Sequence, residues 1–305
     1  MKALLKRALL AVPLLLGAAL VIHTLIYLIP GDPAAMISGD YASAADIAAI
    51  RRELSLDEPF LHRFLTYLGK LAVLDMGKSI YTGLPVTTLI ARRFPATLLL
   101  AAVSMALAAA AGIGLGVLAA ARRGRRADTA VLWISSFFIS TPVFVTCFIL
   151  ALVFSHWLNL LPPSGRQGLN PAYIILPAAA LASRSLALII RVVRNELIEV
   201  LKSNYIKASR ALGIPEWRVV LVYGLRNVMV PAITIILLDF GAYLGGAVVT
   251  ETVFSWPGIG RLLIMALQKR DLPLVQGILI FGTALFLLIG MMIELLQARQ
   301  PKAGT

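Results

Sequence analysis

Residues 191–227 read RVVRNELIEVLKSNYIKASRALGIPEWRVVLVYGLRN and separate two long apolar runs. Apolar residues spaced by four, four, three and four predict a helix with one apolar stripe, formed by Leu197, Leu201, Tyr205, Ala208 and Leu212. Gly213 is expected to end this helix, and Pro215 is expected to open a second one. The segment therefore predicts two short helices joined at a corner. It fits either a docking site for another protein or an amphipathic hairpin on the lipid surface.

The composition is typical of an integral membrane protein. Of the 305 residues, 59% are hydrophobic and 14% are charged, and the mean hydropathy is +0.88. A soluble domain of this length cannot solvate so much apolar surface. The formal net charge of +13 is compatible with nucleic-acid binding, but the basic residues cluster beside apolar runs, where they set topology and contact anionic lipid. We therefore expect the lipid bilayer, and no nucleic acid, as a partner.

Six apolar runs are long enough to span a bilayer. They cover residues 9–29, 97–121, 130–158, 172–190, 228–251 and 274–297. The segments on the side of the termini hold 16 Lys and Arg residues, whereas the two short loops on the other side hold four. The positive-inside rule therefore places both termini and residues 191–227 in the cytoplasm. The predicted fold class is an all-α integral membrane protein with six transmembrane helices.

The chain divides into four predicted parts. Residues 1–30 form an uncleaved N-terminal transmembrane helix, because their apolar run is too long for the core of a signal peptide. Residues 31–95 form an extracytoplasmic segment with short surface helices, for which Ser43 and Asp57 with Pro59 provide start signals. Residues 96–297 form the transmembrane core, which includes 191–227, and residues 298–305 form a cytoplasmic tail.

Two local patterns predict details of the core. Gly112, Gly114 and Gly116 alternate in the second apolar run, which favours close packing against another helix over a dinucleotide-binding loop, since that loop needs a preceding strand. Pro142 lies near the middle of the third run and is expected to kink its helix, because proline removes one backbone hydrogen bond.

Ionisable groups inside apolar runs are costly and therefore mark candidate sites. Asp239 and Arg184 are the main candidates for a translocation pathway. Glu251, near a helix end, and Gly245, a small residue at a close helix contact, complete that set. A structural alternative stays open, in which Arg184 and Asp239 neutralise each other or a neighbouring subunit. No catalytic or metal-binding residues are predicted, because the three histidines are scattered and no H-E-x-x-H motif occurs.

Several stretches together resemble one family. NYIKASRALG (204–213), followed by YGLRN (223–227) and Pro231, resembles the cytoplasmic "EAA" coupling loop of ATP-binding-cassette (ABC) importer permeases. The match is closest to the B-type permease of the dipeptide, oligopeptide and nickel group. Three more stretches agree with that group: LIPGDP (28–33), LDMGKS (74–79) and GGAVVTETVFSWPGIGR (245–261).

The loop departs from the family pattern at four positions. Asn204 stands where an acidic residue is common, and Lys207 stands where the family has glutamate. Ser209 replaces an alanine, and Leu212 replaces a basic residue. The departures affect the expected fit to a partner more than the coupling role itself. Arg184 has no counterpart in the pattern.

The resemblance implies a type I ABC importer permease fold with a cytoplasmic coupling helix, in a bacterial inner membrane. It also implies a second, homologous permease subunit, two ABC ATPase subunits and an extracytoplasmic solute-binding protein as partners. The helix over 195–212 is expected to seat in a groove of the ATPase and to transmit its motion. The residues implied in ATPase coupling are Glu196, Tyr205, Lys207, Ala208, Ser209, Arg210, Ala211, Gly213 and Pro215.

The resemblance further implies a subunit without catalysis or cofactor, whose partner subunits use ATP. The sequence agrees, because it contains no G-x-x-x-x-G-K-[ST] loop. Peptides are the expected cargo, with nickel chelates, glutathione and sugars as alternatives. Among other functional classes, the main alternative is an ion-coupled secondary transporter. Such transporters usually contain internal repeats and paired carboxylates, whereas this sequence has one buried acid and no internal repeat. A channel and an intramembrane hydrolase have less support.

Overall fold

The computed structural model describes residues 2–28, 43–45, 48, 51, 57–168 and 170–298, with residues 2–11 and 297–298 described by their backbone alone. Most of the predicted surface helix after Ser43, most of the 28–33 stretch and nearly all of the predicted tail lie outside these residues; Ala44, Ala45, Ala48 and Arg51 of that surface helix are described and are helical. The described residues form helices and connecting segments, with one isolated β-bridge between Lys78 and Pro85.

Eleven helices that the structure describes without gaps are labelled α1 to α11 in chain order. They are α1 (Lys2–Leu28), α2 (Phe60–Ala72), α3 (Val86–Ala121), α4 (Arg126–Ser140), α5 (Val143–Trp157), α6 (Ala172–Val200), α7 (Asn204–Ala211), α8 (Glu216–Leu244), α9 (Val248–Val253), α10 (Ile259–Gln268) and α11 (Leu272–Ala298). The end of α5 (Ala151–Trp157) and an early part of α8 (Val219–Gly224) are π-helical.

Four helices, α3, α6, α8 and α11, are long and apolar enough to cross a membrane. The pair α4 and α5 gives a fifth span if it is counted as one bent segment. Six spans were predicted. In the described chain the remaining candidate is α1, whose apolar part, Val12–Leu28, is a shorter apolar helix.

The third predicted span differs from expectation at Pro142. A kink inside one helix was predicted, whereas α4 and α5 are separate helices that meet at 107°. Thr141 has an extended backbone and Pro142 occupies the N-cap position of α5. The residue before a proline is driven out of the helical region by the proline ring, so the chain breaks where only a bend was expected.

The second predicted span also differs. It was expected to begin at residue 97, after Arg92, Arg93 and Pro95, but α3 begins at Val86 and includes all three. Proline inside a helix removes one hydrogen bond, and here the helix continues through it. The polar stretch before residue 97 and the apolar run after it therefore form one continuous helix.

The core is organised around α6, which packs along α3. At Gly112 an added Cβ would lie 2.8 Å from a side-chain atom of Ile189, and at Gly116 it would lie 2.8 Å from Val193. At Gly114 a Cβ would meet nothing within 4 Å. The predicted close packing of this glycine string is therefore confirmed for two of its three members.

Alanine substitutions at these three glycines should have different effects on the stability of the protein. Gly112→Ala and Gly116→Ala are each expected to destabilise the protein by about 1–3 kcal/mol, because the new methyl group overpacks the α3–α6 contact. Gly114→Ala is the matched control, and about 0.5–1 kcal/mol of stabilisation is expected from helix propensity. Thermal unfolding of the detergent-solubilised protein measures both. Equal effects at all three positions would contradict the packing described here.

Candidate functional site

The end of α6, all of α7 and the start of α8 form a corner in the 191–227 segment. One helix was expected over 195–212, but α6 ends at Val200 and α7 begins at Asn204. The hydroxyl of Ser203 donates to the Val200 carbonyl at 2.6 Å, and the backbone of Ser203 is extended. A serine bonded to the preceding turn competes with the helical backbone, which accounts for the break.

The break also divides the predicted apolar stripe. Leu197 is buried in the core, whereas Tyr205, Ala208 and Leu212 are exposed. The side chain of Leu212, at the tip of the corner, is 80% exposed. The buried face of α7 is instead formed by Ile206 and Ser209, which the stripe over a continuous helix did not predict.

Gly213 ends α7, as the sequence predicts. Its φ is +77°, a conformation that favours glycine. Its N–H donates to the Arg210 carbonyl at 3.0 Å, and the Ile214 N–H donates to the Ser209 carbonyl at 3.3 Å. These two bonds form a Schellman motif. Pro215 then occupies the N-cap position of α8.

Two side-chain contacts tie the corner together. Arg210 donates to both carboxylate oxygens of Glu216, at 3.0 and 2.6 Å. The hydrogen bonds from Arg210 lower the pKa of the Glu216 carboxyl from its ordinary value. Asn227 on α8 donates to the Tyr205 hydroxyl at 2.5 Å. The corner is therefore fixed by paired contacts on both of its arms.

The remaining residues predicted for coupling lie on the same surface or close to it. Glu196 is exposed on the last turns of α6, before the break, and not on α7. The exposed members of the corner are Lys207, Ala208, Arg210, Ala211 and Pro215.

A partly buried ion pair anchors the C-terminal half of α6. Arg194 donates to both oxygens of Asp128 at the start of α4, at 2.6 and 2.8 Å, and the Gly124 N–H donates to the same carboxylate at 2.9 Å. These hydrogen bonds, chiefly those from Arg194, lower the pKa of Asp128 from its ordinary value. Sequence reasoning missed this pair, because its members lie 66 positions apart.

Asp128→Asn should therefore destabilise the protein by about 1.5–3 kcal/mol at pH 7, because it removes the charged acceptor of the partly buried Arg194 guanidinium. A lowered folded-state pKa gives stability above the ordinary pKa of aspartate, and that stability is lost as the pH falls through the folded-state value. The difference in thermal stability between parent and variant should shrink as the pH is lowered. Glu199→Gln, which removes an exposed pair with Lys202, is the control and should change little. A constant difference across the pH range would contradict this.

A polar cluster lies between α6 and α8 in the apolar core of the chain. The Ser185 hydroxyl donates to the Asp239 carboxylate and lies 2.5 Å from the Tyr243 hydroxyl. Tyr243 in turn donates to the Leu181 carbonyl at 2.7 Å. Asp239 thus faces polar groups of α6 across the helix contact.

Arg184 stands beside this cluster but outside its hydrogen bonds. Between residues 176 and 190 of α6 it is the one exposed residue. Among the described residues, no salt bridge joins it to Asp239. A guanidinium in the middle of a membrane span is not stable against lipid alone. Its surroundings are therefore expected to be a water-filled pathway or another subunit.

The 245–261 stretch forms a buried turn around Glu251. Its carboxylate accepts the Thr97 hydroxyl at 2.7 Å and the Arg261 N–H at 3.0 Å, and it is fully buried. A Cβ at Gly258 would lie 2.3 Å from this carboxyl group. These contacts hold the start of α10 against α3 and α9. The pathway role of Glu251 stays a prediction, while its contacts give a structural reason for the residue.

Gly245 lies at a helix crossing. A Cβ on Gly282 of α11 would come within 3.5 Å of the Gly245 Cα atom. This is an ordinary van der Waals separation, and a Cβ on Gly245 would meet the Ala242 carbonyl oxygen at 3.4 Å, so the crossing leaves room for a methyl group at either glycine. Within the described residues, no group of three or more His, Cys, Asp or Glu side chains is placed to hold a metal ion.

Comparison with known proteins now decides the family. Residues 112–302 match the binding-protein-dependent transport system inner membrane component, and residues 1–101 match the N-terminal part of such membrane components. The chain belongs to this family of ABC importer permeases. It is 37% identical over 293 residues to the glutathione transport system permease protein GsiC of Escherichia coli K12, covering 96% of this chain and 95% of that protein. The same protein of Shigella dysenteriae serotype 1 has the same identity and coverage.

Membership of this family establishes the general role of the protein. It is a permease subunit of a transport system in the inner membrane, with several apolar helices that cross the bilayer. A permease of such a system works with an ATPase, a binding protein and a second permease.

Proposed function

We propose that this permease forms half of a translocation pathway for short peptides and couples that pathway to two cytoplasmic ATPases. The second half is a homologous permease, and an extracytoplasmic binding protein delivers the cargo. ATP is bound and hydrolysed by the ATPases, and this chain carries no catalytic group or cofactor of its own. Both termini and the corner at 201–216 face the cytoplasm.

The exposed corner is the observation that carries the coupling role. Its tip presents Leu212 and Trp217, with exposed fractions of 80% and 58%, on a backbone fixed by the Arg210–Glu216 pair. Exposed apolar side chains on a fixed helical corner suit a groove in a partner protein. Because α7 is tied to α8 through Tyr205 and Asn227, a push on the corner is transmitted to a membrane helix.

The cargo proposal rests on charge. Arg184 and Asp239 place one positive and one negative side chain on neighbouring helices inside the membrane core. A short peptide carries a carboxylate and an ammonium group, so its charges complement those of Arg184 and Asp239. Glutathione is the first cargo to test, because the relatives described above are named glutathione permeases.

A competition assay tests the cargo. The complete transporter in proteoliposomes, with its binding protein, should accumulate labelled glutathione when ATP is supplied. Unlabelled glutathione, a dipeptide, a nickel chelate and a sugar are then added separately in excess. Competition by glutathione or the dipeptide supports a peptide transporter. Competition by the nickel chelate or the sugar alone, or no uptake of glutathione, would contradict the peptide proposal.

A further inference from the structure

A cavity of about 430 Å³ lies apart from the corner and shares no lining residue with it. Its walls come from the end of α1, from α2, from the 75–80 segment and from the start of α11. This volume lies in the range of small-molecule sites. None of the residues assigned to coupling or to the pathway lines it.

Two hydrogen-bonding groups at this cavity lack partners. His23 is 7% exposed, and its Nδ1 atom lies 3.3 Å from the Gln276 amide nitrogen. Since an amide nitrogen only donates, Nδ1 accepts and the neutral ring carries its proton on Nε2. Both His23 Nε2 and the Tyr67 hydroxyl are buried without a hydrogen-bond partner. Buried polar groups are rarely left unpaired, and a ligand with acceptor atoms would satisfy both once the two side chains turn toward the cavity.

Three cations line the same cavity, namely Arg63, Lys70 and Lys78. None of them forms a salt bridge with any residue in the described part of the chain. The two acids at the cavity already have contacts. Asp75 accepts the Gly77 N–H at 2.9 Å, and Glu58 lies 3.4 Å from the His62 ring. The three cations outnumber the two acids, although Arg63 also stacks on the Tyr27 ring. This excess of positive charge, together with the two unpaired buried groups, favours an anionic ligand rich in acceptors.

The outer border of the cavity is apolar. No residue of α2 is buried, and its outward side exposes Leu61 and Leu65. Val73 and Leu74, directly after it, are 75% and 72% exposed. A helix with an apolar outer face and cations on its inner side is typical of the membrane interface.

We propose that this cavity binds the phosphate headgroup of an anionic phospholipid. Arg63, Lys70 and Lys78 pair with the phosphate, and Tyr67 and His23 donate to its oxygens or to the adjoining ester oxygens. The acyl chains extend over the exposed leucines of α2. The site joins α1 and α2 to α11, so a bound lipid holds the N-terminal helix against the core.

Native mass spectrometry of the complete transporter tests the site. The probes are short-chain phosphatidylglycerol, short-chain phosphatidylcholine and inorganic phosphate, each added to delipidated complex. We expect saturable binding of phosphatidylglycerol. Lys70→Gln with Lys78→Gln should weaken it about 30-fold, the effect of removing two charges near a lipid surface. Tyr67→Phe, which deletes only the hydroxyl, should weaken it about threefold to tenfold.

The matched control removes two cations elsewhere. Arg166 and Lys269 pack on the rings of Trp256 and Tyr81 and do not line the cavity. Their replacement by glutamine should leave phosphatidylglycerol binding unchanged. An equal loss in this control, or unchanged binding in the Lys70 and Lys78 variant, would overturn the proposal. Equal binding of inorganic phosphate and phosphatidylglycerol would overturn the lipid as the source of the phosphate.

Discussion

Replacing Gly213 with proline is expected to abolish cargo-stimulated ATP hydrolysis by the assembled transporter while membrane insertion stays intact. Gly213 has a φ of +77° and donates its N–H to Arg210. Proline fixes φ near −65° and has no N–H, so both bonds of the Schellman turn are disrupted. The Arg210–Glu216 pair then loses its geometry, and the corner no longer moves as one body. ATP hydrolysis with and without loaded binding protein measures the effect.

Gly83→Pro is the matched control. Gly83 also has a positive φ, +70°, and donates its N–H to the Ser79 carbonyl at 2.9 Å, but it lies far from the corner in sequence. This variant suffers the same backbone defect and should still bind the ATPases. If Gly213→Pro retains full stimulation, the corner does not transmit the motion. If both variants lose ATPase binding equally, the effect is a general folding defect.

Replacing Arg184 with glutamine is expected to lower the kcat/KM of peptide import by about 30-fold or more, as when a charged hydrogen-bonding partner is truncated. Arg184 is exposed in a helix whose neighbouring residues are buried, and Asp239 is engaged with Ser185. Under the proposed function, the guanidinium binds a carboxylate of the cargo. Uptake of labelled glutathione by proteoliposomes measures the change.

Cargo and protein variants give the controls. Glutathione with amidated carboxyl groups should be imported poorly by the parent and should be affected little by Arg184→Gln. Arg184→Lys keeps the charge but loses the bidentate geometry, so it should recover part of the activity. Asp239→Asn should change uptake without loss of subunit assembly. If Arg184→Gln instead prevents copurification of the second permease, the residue belongs to the subunit interface and not to the pathway.

The sequence predicted the corner correctly where a single residue determines the backbone conformation. Gly213 determines the end of α7, because the turn needs a positive φ. The continuous stripe over 197–212 was wrong, because Ser203 terminates α6 and rotates α7 relative to it. Helical periodicity assumes an unbroken helix, and a single serine bonded to the preceding turn is a weak signal for a break.

Contacts between distant segments were beyond sequence reasoning. The Asp128–Arg194 pair and the Thr97–Glu251 bond each join residues far apart in the chain. Glu251 was predicted from its cost in an apolar run, a criterion that treats a buried structural carboxylate and a pathway carboxylate alike. The neighbours in space, such as Gly258, add a structural reason for Glu251, and its pathway role stays a prediction.

The most direct test of an ATP-driven permease measures cargo uptake when ATP is the only energy source and ion gradients are absent. The complete transporter is reconstituted in proteoliposomes with labelled glutathione and its binding protein outside. ATP is enclosed inside, and ion gradients are collapsed with an uncoupler. Accumulation above the external concentration that requires ATP and resists the uncoupler is the predicted result. Accumulation that proceeds without ATP and disappears with the uncoupler would contradict the account and favour an ion-coupled transporter.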